Sequence, residues 1–164
     1  MGSTKPYPYY DTVIPARQTQ VDITKMLYEE GCEATRWTEE DKGKSIMLEF
    51  IWKIPTDEGK KSFAFRVSPP VMQKWVGRGN ARHQEPNPNA AMRLLWWYLK
   101  SKLEAVKYGL VPIEEEFLQA MVLPLPGGGD ATMGEMVVPR IKAGKVLGIR
   151  DWVKMLPSGD RDED

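Results

Sequence analysis

The chain has one cysteine, Cys32, and one histidine, His83, among 164 residues. A single thiol excludes an internal disulfide, and one imidazole with one thiol cannot assemble a Cys/His zinc site. Any Ser-His or Cys-His nucleophile pair would depend on His83, and no strand-turn-helix nucleophile motif is present. No apolar run approaches the roughly 18 residues that a membrane span needs. The first ten residues, MGSTKPYPYY, carry neither a basic stretch followed by an apolar one nor a cleavage pattern, so a cytoplasmic location is expected, without a membrane partner. Net charge is zero, and there is no internal repeat or low-complexity tract. Gly77-Arg78-Gly79 and Gly127 to Gly129 lack the lysine and flanking elements of a phosphate-binding loop. No cofactor or metal is expected.

Aromatic residues and unevenly spread charge are what the sequence has instead. Six tryptophans are many for this length, enough to fill a core and leave one or two for stacking or an interface. From Lys60 to Pro112 there are ten basic residues (Lys60, Lys61, Arg66, Lys74, Arg78, Arg82, Arg93, Lys100, Lys102, Lys107) and two acids, Glu85 and Glu104, so this stretch carries +8. With 23 basic and 23 acidic residues overall, the rest holds 13 and 21 and carries −8. Such asymmetry has two readings. It marks a polyanion-binding face, or the two parts neutralise each other across the fold.

The clearest element runs from Asn87 to Gly109. Asn87 suits an N-cap, Pro88 the first helical position and Gly109 a left-handed stop, which together predict a helix of about six turns. At 100° per residue Met92, Leu95, Trp96, Leu99, Leu103 and Val106 share one face, and Leu94, Trp97, Tyr98 and Tyr108 fill another. Only a narrow strip is charged, so the helix is expected to run between two layers as the spine of the core.

Around this spine, residues 9–14 suit an edge strand ended by Pro15. Thr19 with Asp22 resembles a capping box that opens a helix over Val21, Ile23, Met26 and Leu27, up to Gly31. Strands are expected at 33–38, 45–54 and 61–68, the second alternating Ile46, Leu48, Phe50, Trp52 and Ile54 on one face, the third Phe63, Phe65 and Val67. Residues 71–87 read as a long loop rich in glycine and base. Pro112 suits the start of a helix with Glu114 to Glu116 in its first turn and Phe117, Leu118 and Met121 on its apolar side. Thr132 with Glu135 fits another capped helix, or Thr132 belongs to a hairpin around the three glycines. Ile149, Trp152, Val153 and Leu156 can form a last apolar face.

The expected architecture is α+β: an antiparallel sheet of three to four strands packed against the long central helix and a short N-terminal helix, with short C-terminal helices packed on the spine's far side. One domain over 1–164 is expected, with a loose arm (1–8), a strand, helix and three-strand unit (9–68), a basic loop (71–87), the central helix (87–109), C-terminal packing segments (112–156) and an acidic tail (157–164).

Two constellations invite chemistry. Glu58-Gly59-Lys60 with Asp41 upstream resembles part of a metal-dependent nuclease motif, but the triplet falls in an expected turn, where the acids and lysine cannot converge on a metal. The second interleaves cations with rings: Lys74, Trp75, Arg78, Arg82 and His83 in the loop, then Arg93, Trp97, Lys100 and Lys107 on the helix. Cations hold phosphates and exposed rings stack bases. The plainer reading puts Trp97 in the core and has Glu104 pair with Lys100 and Lys107.

The order helix, three antiparallel strands, long helix resembles the double-stranded-RNA-binding domain and the core of phage single-strand annealing proteins. In the first family the second helix opens with lysines that grip phosphate; here that position reads Asn89-Ala90-Ala91 and departs from it. In sequence, Tyr9-Tyr10 with Ile14-Pro15, LKSKLEAVKYG at 99–109 and EEEFL at 114–118 resemble a family of uncharacterised phage and prophage proteins, which implies a viral origin and a host cytoplasm. The expected function is therefore a non-enzymatic phage nucleic-acid-binding protein that prefers single-stranded DNA. The alternative is a phage protein-interaction module that inhibits a host factor or assembles as a homo-oligomer.

Overall fold

Alternation along 46–54 sets the frame, because successive side chains of a strand point to opposite faces. A computed structural model describes residues 7–40 and 45–144. Within them β1 (Ala34–Glu40), β2 (Ser45–Thr56) and β3 (Gly59–Val67) form an antiparallel sheet in the order β1-β2-β3. Leu48, Phe50, Ile54 and Phe65 are buried on its inner face, with Ile46, Trp52, Phe63 and Val67 packed beside them. The register sets Phe50 opposite Phe65, their ring centroids 5.3 Å apart, and Phe117 meets both edge-on at 5.5 and 5.9 Å.

On the outer face one row crosses all three strands as Arg36, Glu49 and Arg66. Glu49 accepts from both arginines, and Arg66 Nη2 reaches on to Asp130 Oδ1 at 2.7 Å. Burial opposes the Glu49 carboxylate, but hydrogen bonds from Arg66 and Arg36 outweigh it and hold its pKa below the usual range.

Helix α1 (Ala16–Glu29) buries Thr19, Ile23 and Leu27, one residue per turn, against the core. It starts a turn earlier than the Thr19 capping pattern predicts. Its first N–H is satisfied from elsewhere in the fold, Ala16 N donating to Asn89 Oδ1 at 2.8 Å, which frees Thr19 to be packed. Residues 9–14 do not form the expected strand: Tyr9 takes a left-handed φ of 62° and its carbonyl accepts from Thr12 N, a turn. Tyr7, placed in the expected loose arm, is tied down by its hydroxyl, which donates to the Gln73 carbonyl at 2.6 Å.

Helix α2 (Pro88–Lys107) follows its caps closely. Ala90 N donates to the Asn87 side chain, Pro88 occupies the first turn, and Gly109 ends it at φ 74°. Met92, Leu95, Leu99 and Leu103 are buried, with Trp96 and Val106 half-buried beside them. The sandwich expected around it is only partial. Trp97 is 44% exposed and Tyr108 77%, and among the described residues nothing covers the strip they share with Ser101 and Glu104.

The reason lies in where the C-terminal segments go. Helix α3 (Ile113–Glu116) lasts one turn, a 3-10 turn follows, and Met121 bridges Phe65 on the free edge of β3. Strands β6 (Val122–Pro124) and β7 (Asp130–Thr132) then pair around the three glycines. Thr132 ends that hairpin and also caps α4 (Met133–Lys142) in a reciprocal box with Glu135, so both readings of it hold. The first of these pieces pack on one side of α2, where Glu116 pairs with Lys102 and Gln119 donates to Tyr98 Oη, and the rest extend the sheet side, so among the described residues the strip of Trp97 and Tyr108 stays bare. Strands β4 (Gln73–Val76) and β5 (His83–Pro86) pair with each other as a separate hairpin ahead of α2. Residues 1–6, Asp41, the apolar face at 149–156 and the tail at 157–164 lie outside the described residues. No helix among the described residues is long and apolar enough to cross a membrane.

Candidate nucleic-acid interface

The stretch 71–87, expected as a loop, is a small hairpin. Strands β4 (Gln73–Val76) and β5 (His83–Pro86) pair antiparallel, with a 3-10 turn at Gly79–Ala81 between them. Gly77 makes the bend: its φ is 87°, and a Cβ there would meet the Ala81 carbonyl oxygen at 2.5 Å. Four hydrogen bonds of tyrosine and asparagine fasten the hairpin. Besides the Tyr7 bond to Gln73, Trp75 N donates to Tyr10 Oη at 2.8 Å, and Asn87 Nδ2 donates to Tyr7 Oη and the Tyr10 carbonyl.

Pleating turns Gln73 and Trp75 outward and leaves Lys74 and Val76 half-covered. The Trp75 ring is 48% exposed, and the Arg82 guanidinium lies 4.8 Å from its centroid. Arg78 stands at the tip, between two glycines of positive φ. Lys74 sits opposite Glu85 in the ladder without forming an ion pair. His83 is braced at both ring nitrogens, 3.0 Å from the Ala81 carbonyl and 2.9 Å from Glu85 Oε1.

The Ala81 carbonyl and then the Glu85 carboxylate raise the His83 pKa above its ordinary 6.5. A raised native pKa means that the brace is complete below 6.5 and is lost as pH climbs through the native value. We therefore expect the ring resonances of His83, the one histidine of the chain, to titrate with a midpoint above 6.5 that Glu85→Gln lowers. A midpoint at or below the ordinary value would remove the brace.

On α2 the cations have other work. Arg93 stacks 4.6 Å over Trp96 and lies 3.9 Å from Asp22 of α1. Lys107 Nζ binds Glu30 Oε1 at 2.7 Å, and that hydrogen bond raises its pKa. Both residues fasten α2 to α1. Lys100 is freer, between Trp96 and Trp97 at 5.1 and 5.4 Å and 3.8 Å from Glu104. Lys102 pairs with Glu116, and Arg66 with Glu49 and Asp130.

Much of the charge asymmetry is thus neutralised across the fold, by contacts between residues far apart in sequence. Of the ten cations between Lys60 and Pro112, those without an ion pair among the described residues are Lys60, Lys74, Arg78 and Arg82. Three of these four share one hairpin with an exposed tryptophan. The nine residues expected to bind nucleic acid therefore divide: Lys74, Trp75, Arg78, Arg82 and His83 come together on the hairpin, Trp97 and Lys100 form a separate strip on α2, and Arg93 and Lys107 are engaged with α1. Sequence reasoning missed Tyr7 and Tyr10, whose hydroxyls support the hairpin; their clustering before Pro15 was the available signal.

Glu58 lies in the turn between β2 and β3 and pairs with Lys61. Among the described residues no three His, Cys, Asp or Glu side chains gather as a metal site would require. Comparison of the chain with family models, with curated proteins and with solved structures found no match.

Proposed function

We propose that this protein binds single-stranded nucleic acid, without catalysis, through the β4–β5 hairpin, and that it does so as a phage protein in a host cytoplasm. The observation that carries the reading is the concentration of cations without an ion pair among the described residues, Lys74, Arg78 and Arg82, around the exposed ring of Trp75. Arginine and lysine without a carboxylate partner are free to hold phosphates, and each phosphate neutralised releases counterions. A flat ring beside them offers a stacking surface for any base. Bases in a duplex are already stacked on each other, so the ring favours a single strand.

Anisotropy of labelled single-stranded DNA, duplex DNA and duplex RNA, each across a range of salt, tests this. Affinity is expected to be highest for the single strand and to fall steeply with salt. Trp75→Ala should cost about tenfold for the single strand, within the range of one base stack, and much less for duplexes. Equal affinity for all three, or an unchanged Trp75 variant, would contradict the stacking role.

A protein-binding reading is favoured by a different observation. Trp97, Tyr108 and Leu110 are exposed on and just beyond the uncovered strip of α2, and such aromatics serve as interface anchors. Concentration-dependent self-association lost in Trp97→Ala, with no oligonucleotide binding, would select it.

A further inference from the structure

At the root of the hairpin is a cleft of about 810 Å³. Gln73 and Pro86, the cross-strand pair that opens the hairpin, form one wall, and the first turn of α2 forms another. We propose that this cleft receives an unstacked nucleobase of the strand that the hairpin holds, an inference that rests on the nucleic-acid reading above.

Three features of the cleft select a flat, neutral, polar-edged ring. First, none of its lining side chains among the described residues is charged, so a phosphate or carboxylate entering it would lose water without a counter-ion from them. Second, its apolar surface includes Ile46, Val71 and Met72 together with the rigid rings of Pro69 and Pro70, and the buried Met92 lies directly beneath. Proline rings present flat C–H faces, and thioethers make favourable contacts with aromatic rings. Third, the side chains of Ser45, Ser68 and Gln73 make no hydrogen bond among the described residues, although all three lie on the cleft. Hydroxyl and amide groups can both donate and accept, which suits the edge of a base.

The cleft is also held in shape. Asn87, 4% exposed, accepts from Ala90 N and commits both amide hydrogens to Tyr7 and Tyr10, so it braces the wall and has no donor left for a ligand. The volume lies within the range of about 300–1,000 Å³ usual for small-molecule sites and has room for a base with its sugar. Charge explains why the base would come on a nucleic acid. Lys74 follows Gln73 directly, and Arg78 and Arg82 stand on the same hairpin without acidic partners among the described residues, so phosphates outside the cleft are held while the neutral base goes in.

The test uses the full chain with adenosine, which has no phosphate, and with two labelled single strands of equal length, one bearing bases and one wholly abasic. Adenosine should shift the methyl resonances of Met72 and Met92. The base-bearing strand should bind about tenfold tighter than the abasic one. Ser68→Trp, a bulky change at an exposed position, should abolish both the shift and the preference while leaving abasic binding intact; Gln73→Ala should reduce both if that variant does not fold. Salt-dependent binding that is equal for the two strands, with still methyl resonances, would overturn the cleft and leave the hairpin standing. Shifts with adenosine, but oligonucleotide binding no tighter and insensitive to salt, would keep the cleft and overturn the hairpin. Shifts caused by an acetylated proline-rich peptide and not by adenosine would overturn the nucleobase in favour of a protein partner.

Discussion

Phe65→Ala is expected to destabilise the protein by about 3–5 kcal/mol, the usual cost of deleting a fully buried ring. Phe65 is inaccessible to solvent, stacks on Phe50 and takes the edge of Phe117. Its backbone also bridges Met121, which brings the C-terminal segments onto the sheet. Truncation leaves a cavity that three elements would have to close together, since Phe50 and Phe117 are themselves buried and cannot swing in from solvent. Against a typical total of about 5–15 kcal/mol, a third or more of the stability would go. Urea denaturation read by tryptophan fluorescence measures it, with the midpoint falling and the slope unchanged. A loss under about 1 kcal/mol would mean that the three rings do not form one core.

The double variant Arg78→Ala/Arg82→Ala is expected to lose affinity for a single-stranded oligonucleotide on the order of a hundredfold at low salt. Each charged hydrogen bond to a phosphate is worth about 1.5–3 kcal/mol, discounted here because both side chains are exposed. The plot of log affinity against log salt should become shallower by about 1.4, as two phosphate contacts on a single strand require. Folding should change little, since among the described residues neither arginine has an acid to leave unpaired and the Arg82 contact with Trp75 lies at an exposed site. Arg93→Ala and Lys107→Ala give the contrasting result: a small loss of stability from the ion pairs with Asp22 and Glu30, and little change in binding. If those two variants weakened binding as much as the hairpin pair, the site would have to move to α2.

What could be read from the sequence was what local chemistry decides. The caps of α2 are adjacent to it in sequence, at Asn87, Pro88 and Gly109, and the alternation in β2 runs long enough to fix its buried face. The hairpin escaped notice because its strands have four residues each, too few for a period, and because glycine and proline around them suggest a loop. The start of α1 was misjudged because its first N–H is satisfied by Asn89, 73 residues away. The same distance problem governs the charges. Nothing in the sequence near Arg93 or Lys107 announces Asp22 or Glu30; helical spacing offers only Glu104, which pairs with Lys100, while Lys107 goes to Glu30. Only the folded arrangement separates the cations that hold α1 from those that gather around Trp75 without an ion pair among the described residues. Trp96 and Trp97 show the lesson at its smallest: one turn of 100° puts the first against the core and the second in solvent.

Photo-crosslinking of a 5-bromouracil-substituted single-stranded oligonucleotide to the full chain, followed by mapping of the modified peptide, tests the hairpin most directly. A stacked bromouracil crosslinks to the ring that it touches, so the adduct should fall on Trp75, and high salt or Arg78→Ala/Arg82→Ala should suppress it. An adduct confined to Trp97, or one that survives loss of both arginines undiminished, would contradict the assignment of the β4–β5 hairpin as the nucleic-acid contact.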